Sequence, residues 1–152
     1  MLRTSTLLSL VLMFATQTSA TAVTLDEVFS NFQKCNFKGF YYAPWDTSRP
    51  IHPYFAERNL KPYKENNGVY YFKVKDSLFG LPVSEIMVPG TWDYHGVVFD
   101  APLAKTREVM NRKFGTAFVP SDKSKAGESP ALEKTIDASQ SGLYCNETEG
   151  GF

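Results

Sequence analysis

The 152-residue sequence has few of the features that enzymes and nucleic-acid-binding proteins commonly use. It contains two histidines and two cysteines but neither an H-E-x-x-H nor a C-x-x-C motif, so no familiar metal site is predicted. Sixteen basic residues balance sixteen acidic ones, and no long run carries charge of one sign. Because binding to nucleic acid requires a basic surface, we expect no nucleic-acid partner, and no motif indicates a cofactor.

Motifs that activate a nucleophile or hold a phosphate are also missing. No serine lies in a G-x-S-x-G elbow, and no glycine-rich loop is followed by Lys-Ser or Lys-Thr. The nearest approach to a catalytic group is Asp93 with His95, in the stretch GTWDYHGVVF at 90–99. Because no nucleophile accompanies this pair, we predict a non-catalytic protein, with a small hydrolase using His95 and Asp93 as the alternative.

The most apolar stretch lies at the start of the chain. Residues 7–15 form an apolar run of about nine residues, roughly half of what a membrane-spanning helix needs. This run follows the positively charged Arg3 and precedes Ala20-Thr21-Ala22, which fits the A-x-A rule for signal-peptide cleavage. The pattern predicts a signal peptide over residues 1–22, with cleavage after Ala22 first and after Ala20 second. The mature protein is then periplasmic or secreted, without stable membrane insertion.

The two cysteines, Cys35 and Cys145, lie near opposite ends of the predicted mature chain. In an exported protein, two thiols most simply form one disulfide. Such a bridge closes a loop of about 110 residues, which the chain-entropy model values at about 4–5 kcal/mol. A metal site would need further ligands near either cysteine, and the sequence has none there. The predicted role of the pair is therefore structural.

Two helices are predicted from apolar spacing and end signals. The first, over residues 25–34, follows the capping-box pattern Thr24-Leu25-Asp26-Glu27 and carries apolar residues at helical spacing. The second, over residues 100–115, has Pro102 in its first turn. It ends at Gly115, a residue suited to a left-handed C-terminal cap.

Glycine-led runs of aromatic and β-branched residues predict strands, and Asn66-Asn67-Gly68 predicts a hairpin between two of them. The predicted strands lie near residues 61–64, 69–74, 83–88, 96–99, 131–137 and 142–147. Together the elements predict one α+β domain over residues 23–152. We expect a mainly antiparallel sheet of about five or six strands with two helices packed on one face.

Aromatic residues outside the regular elements are the remaining candidates for function. Trp92, Tyr94 and His95 lie in the turn before a predicted strand, and Tyr42 and Trp45 lie near an irregular connection. Aromatic side chains in loops often anchor a protein partner. We therefore predict a small exported protein of the immunity type that binds or inhibits a protein partner. A carrier of an apolar ligand is a third hypothesis.

Overall fold

The computed structural model describes residues 22–37, 39–90, 94–121 and 129–146. Its strands are β1 (Lys64–Asn66), β2 (Val69–Leu78), β3 (Leu81–Pro89), β4 (Tyr94–Phe99), β5 (Ala131–Lys134) and β6 (Ser141–Asn146). They form an antiparallel six-stranded sheet in the order β1-β2-β3-β4-β6-β5. The α-helices are α1 (Leu25–Val28), α2 (Pro53–Glu57) and α3 (Leu103–Phe114). The predicted α+β class is confirmed.

The turns of the first hairpins follow from local backbone preferences. Asn67 and Gly68 have φ of 49° and 75°, the left-handed pair that a type I′ hairpin turn requires. The hairpin predicted from Asn66-Asn67-Gly68 is therefore confirmed. Phe79 and Gly80, with φ of 51° and 81°, make a second tight turn between β2 and β3. The left-handed Phe79 is held by its backbone N–H, which donates to the Asp26 carboxylate at 2.7 Å.

Both predicted helices are shorter than the sequence pattern indicated. α1 ends at Val28, and the chain turns at Ser30-Asn31 before a 3₁₀ turn at Phe32–Lys34. Serine and asparagine favour turns over helix interiors, which explains the interruption. α3 begins at Leu103, with Pro102 as its N-cap and no side-chain cap. Gly115 ends this helix, as predicted, with a φ of 59°, but its ψ of −136° lies outside the left-handed helical region that was expected.

One face of the sheet carries the core. Side chains alternate along each strand, and the cross-strand register aligns a fully or almost fully buried row. This row consists of Phe72, Ile86, Val97, Leu143 and Leu132. The ring of Phe55 from α2 lies 4.6 Å from the ring of Phe72, and Thr106 of α3 hydrogen-bonds Ser141 at 2.7 Å. These contacts place α2 and α3 on the same side, which we call the inner face.

A disulfide joins Cys35, just after the 3₁₀ turn, to Cys145 in β6. The two Cα atoms are 5.5 Å apart, and the cysteines are 110 positions apart in sequence. The predicted pairing is therefore confirmed. Cys35 itself has a φ of 48° and ends the 3₁₀ turn in a left-handed conformation. The bridge thus fixes the N-terminal segment to β6, the strand next to the edge strand β5.

Candidate partner-binding surface

The aromatic candidates from the sequence do not gather on one exposed loop. Tyr42 is 4% exposed, and its ring packs against Phe55 and Phe72. Its backbone N–H donates to the Pro89 carbonyl at 2.8 Å, which fixes this irregular segment to the end of β3. Tyr42 is therefore part of the core rather than an exposed anchor, because the segment that carries it folds over the end of the sheet.

His95 is also buried, with 6% of its surface exposed. Its Nε2 lies 2.5 Å from the Phe40 carbonyl oxygen, and because a carbonyl only accepts, Nε2 donates this bond. The imidazole is flanked by the Phe37 ring at 4.5 Å. This geometry gives His95 a packing role on the inner face and corrects its expected exposure. Asp93, its partner in the hydrolase alternative, lies outside the described residues.

Trp45 is exposed, as an anchor residue should be, at 52%. Its ring lies 5.9 Å from the ring of Tyr70 and covers Gly90. A Cβ added at Gly90 would lie 2.4 Å from the Trp45 indole, so the glycine makes room for the ring. Trp92, the leading candidate from the sequence, lies outside the described residues.

The sheet face opposite the helices, here called the outer face, brings together residues from all six strands. One row crosses the sheet because each neighbouring pair is in register. It consists of Lys64, Tyr71, Met87, Gly96, Tyr144 and Ala131. Tyr94 lies two residues before Gly96 on β4 and so shares this face. We call the surface formed by Tyr71, Met87, Tyr94 and Tyr144 the tyrosine face.

The tyrosine rings interact with one another and with carboxylates. The rings of Tyr94 and Tyr144 are stacked with centroids 5.9 Å apart, and the Tyr144 hydroxyl donates to Glu133 at 3.4 Å. Burial raises the pKa of the Tyr94 phenol, and the nearby Tyr71, Tyr144, Glu133 and Glu85 raise it further. The Tyr94 hydroxyl therefore stays protonated at physiological pH and remains a hydrogen-bond donor.

Two glycines shape the centre of the outer face. A Cβ at Gly96 would lie 2.6 Å from the Met87 methyl carbon, so the Met87 side chain lies across this glycine. At Gly142, which shares the face with Tyr144 on β6, a Cβ would meet only Thr135 at 4.0 Å. Methionine is flexible and adapts to varied partners. The tyrosines therefore surround an adaptable methionine side chain, of which 9% is exposed.

Charged groups lie along one side of the tyrosine face. The Lys73 ammonium lies 2.5 Å from the Glu85 carboxylate, which also accepts from the Tyr63 hydroxyl at 2.6 Å. The Lys64 ammonium lies 4.6 Å above the ring of Tyr71. An aromatic centre with a charged rim is the typical composition of a protein–protein interface.

Two surface clefts of about 290 Å³ lie away from the tyrosine face. One lies between the end of α2 and β2, where Tyr54 and Arg58 face Asp76. The other contains Val23 and His52. Neither cleft was predicted from the sequence, because each forms between segments distant in the chain.

His52 makes the start of α2 sensitive to pH. Its Nδ1 accepts from the Tyr54 backbone N–H at 3.3 Å, and burial lowers the pKa of His52 below its ordinary value of 6.5, partly offset by Glu57. Below about pH 6.5 the His52 side chain is protonated more readily in the unfolded chain than in the folded one. The free energy of unfolding therefore decreases as the pH is lowered. His52→Asn keeps a capping acceptor without a titrating group.

We expect wild-type protein to lose up to about 1 kcal/mol more stability than His52→Asn between pH 7.5 and 5, the typical value of such a cap. Urea unfolding of both proteins at the two pH values measures this difference. His95 is common to both proteins and cancels in the comparison. Equal losses in the two proteins would show that His52 does not titrate as described.

No protein family, curated protein or solved structure matches this chain. Within the described residues, no three His, Cys, Asp or Glu side chains are grouped so that they could hold a metal ion. No helix in the described part of the chain is both long enough and apolar enough to cross a bilayer.

Proposed function

We propose that this chain is an exported, non-catalytic protein that binds a protein partner through its tyrosine face. The observation that carries the proposal is the convergence of Tyr71, Tyr94 and Tyr144 around Met87. These residues lie on the sheet face opposite α2 and α3. Tyrosine and methionine are enriched at the centres of protein interfaces, where large rings contribute contact area at low entropic cost.

The shape of this surface supports a protein partner of the immunity or inhibitor type. The row spans the whole width of the sheet, so it offers a broad platform rather than a narrow slot. The Tyr94 hydroxyl supplies a donor, and Glu133 supplies an acceptor beside it. Such fixed polar groups give an interface specificity, while the rings give it affinity.

Two features support export. The first is the signal-peptide pattern over residues 1–22, and the second is the disulfide between Cys35 and Cys145. Disulfides persist in the periplasm and outside the cell and are rare in the reducing cytosol. The proposed compartment is therefore the periplasm or the extracellular space.

Site-specific photo-cross-linking in the native host tests the proposal. A benzophenone amino acid is placed at Tyr71 or Tyr144 on the outer face, and at Arg107 or Asn111 on α3 as a matched control. We expect one protein to cross-link from both tyrosine positions and from neither helix position. Cross-linking from α3 alone, or no cross-linked protein from either tyrosine position, would contradict binding through this face.

A further inference from the structure

We propose that Glu57 forms the binding site for the α-ammonium group that export processing creates at Val23. The Val23 backbone nitrogen lies 3.3 Å from Glu57 Oε2. The inference rests on the export part of the proposed function, because it requires removal of residues 1–22. The contact with Glu57 distinguishes a mature chain that begins at Val23 from one that begins at Thr21.

The chemistry of cleavage changes this contact. Hydrolysis of the Ala22–Val23 peptide bond consumes one water, leaving a carboxylate on Ala22 and an amine on Val23. The amine takes up a proton at neutral pH, since α-amino groups have pKa values near 8. A neutral amide donor thus becomes a cation at a position already within reach of a carboxylate. Charge-assisted hydrogen bonds of this kind are roughly twice as strong as neutral ones.

The residues that follow Val23 hold its nitrogen in place. The Thr24 backbone N–H donates to the Glu27 carboxylate at 2.7 Å, and the Glu27 N–H donates to the Thr24 hydroxyl at 3.2 Å. Leu25 is fully buried. Because this capping box fixes the chain from its first turn, the new N-terminus cannot move far from Glu57.

The surroundings of Val23 also suit an N-terminus at this position. Val23 is partly buried against the core and lines the cleft that contains Phe40 and His52. Cleavage after Ala20 would leave Thr21 and Ala22 in front of Val23. The ammonium would then be on Thr21, two residues before Val23. The α-ammonium therefore lies next to Glu57 only in a chain cleaved after Ala22.

A double-mutant cycle tests the ion pair. Chains that begin at Val23 or at Thr21 are prepared, each with Glu57 or with Glu57→Gln. We expect the Val23 chain to melt about 2–4 °C higher than the Thr21 chain, the size of an exposed ion pair, and Glu57→Gln to abolish this difference. Glu133→Gln, which removes the same charge far from Val23, should preserve it. A difference that persists in Glu57→Gln, or no difference with Glu57, would overturn the proposal.

N-terminal sequencing of the exported protein separates this proposal from the proposed function. A mature protein that begins at Val23 supports both. A mature N-terminus at Thr21 would overturn the Glu57 site while leaving export intact. Retention of residues 1–22 would contradict export itself, and the ion-pair site with it.

Discussion

Replacing both cysteines with serine is expected to lower the free energy of unfolding by about 4–5 kcal/mol and the melting temperature by about 15 °C. The bridge between Cys35 and Cys145 closes a loop spanning 110 positions, and opening it releases that much chain entropy in the unfolded state. Both cysteines are almost fully buried, so serine hydroxyls at these positions add a polar burial penalty. The double variant Cys35→Ala with Cys145→Ala lacks the buried hydroxyls. Comparing it with the double serine variant separates the polar burial penalty from the entropy of opening the loop.

Urea unfolding with and without a reductant measures the contribution of the bridge. Reductant should destabilise the wild-type protein by a similar amount and leave the double variant unchanged. If the double variant unfolds within about 1 kcal/mol of the wild type, a bridge of this loop length does not stabilise the fold as described.

The double variant Tyr94→Ala with Tyr144→Ala is expected to weaken partner binding at least about thirtyfold, the equivalent of 2 kcal/mol. The two stacked rings hold each other in place before binding, so little entropy is lost when a partner covers them. Their removal deletes both the contact area and the Tyr94 hydroxyl donor.

Isothermal titration calorimetry with the partner identified by photo-cross-linking measures this loss of affinity. Tyr41→Ala is the matched control, because Tyr41 lies outside the tyrosine face, with the Arg49 guanidinium 5.2 Å from its ring centre. The control should bind like the wild type. The melting temperature of the double variant is recorded to confirm that it is folded. Wild-type affinity in the folded double variant would show that the partner does not bind the tyrosine face.

The fold followed from signals that are local in the sequence. Asn67-Gly68 specifies its hairpin because few other residue pairs adopt two left-handed conformations in succession. The left-handed conformation of Phe79 gave no such signal, because its backbone N–H is held by the carboxylate of the distant Asp26, which accepts a hydrogen bond from it. The first helix was expected to run through Ser30, but Ser30 and Asn31 favour a turn over a helix interior, and the chain turns there.

Only part of the candidate surface could be predicted from the sequence. Alternation along residues 69–74 places Tyr71 on the side opposite Phe72, and this much is local. The alignment of Tyr71 with Tyr144 depends on register across four strands, which is shifted by irregularities between Lys73 and Asp76 and between Val83 and Glu85. Tyr42 and His95 were expected to be exposed, yet the segment of Tyr42 folds against the core and His95 lies in β4 with its ring buried.

Binding through the tyrosine face is tested most directly by the dissociation constant of Gly142→Gln. A Cβ at Gly142 would meet only Thr135, at 4.0 Å, so the backbone there admits a side chain, and its outer atoms project from the outer face beside Tyr144. We expect an unchanged melting temperature and affinity weakened about tenfold or more, whereas the smaller Gly142→Ala should bind nearly as well as the wild type. Wild-type affinity in folded Gly142→Gln would show that the partner binds elsewhere.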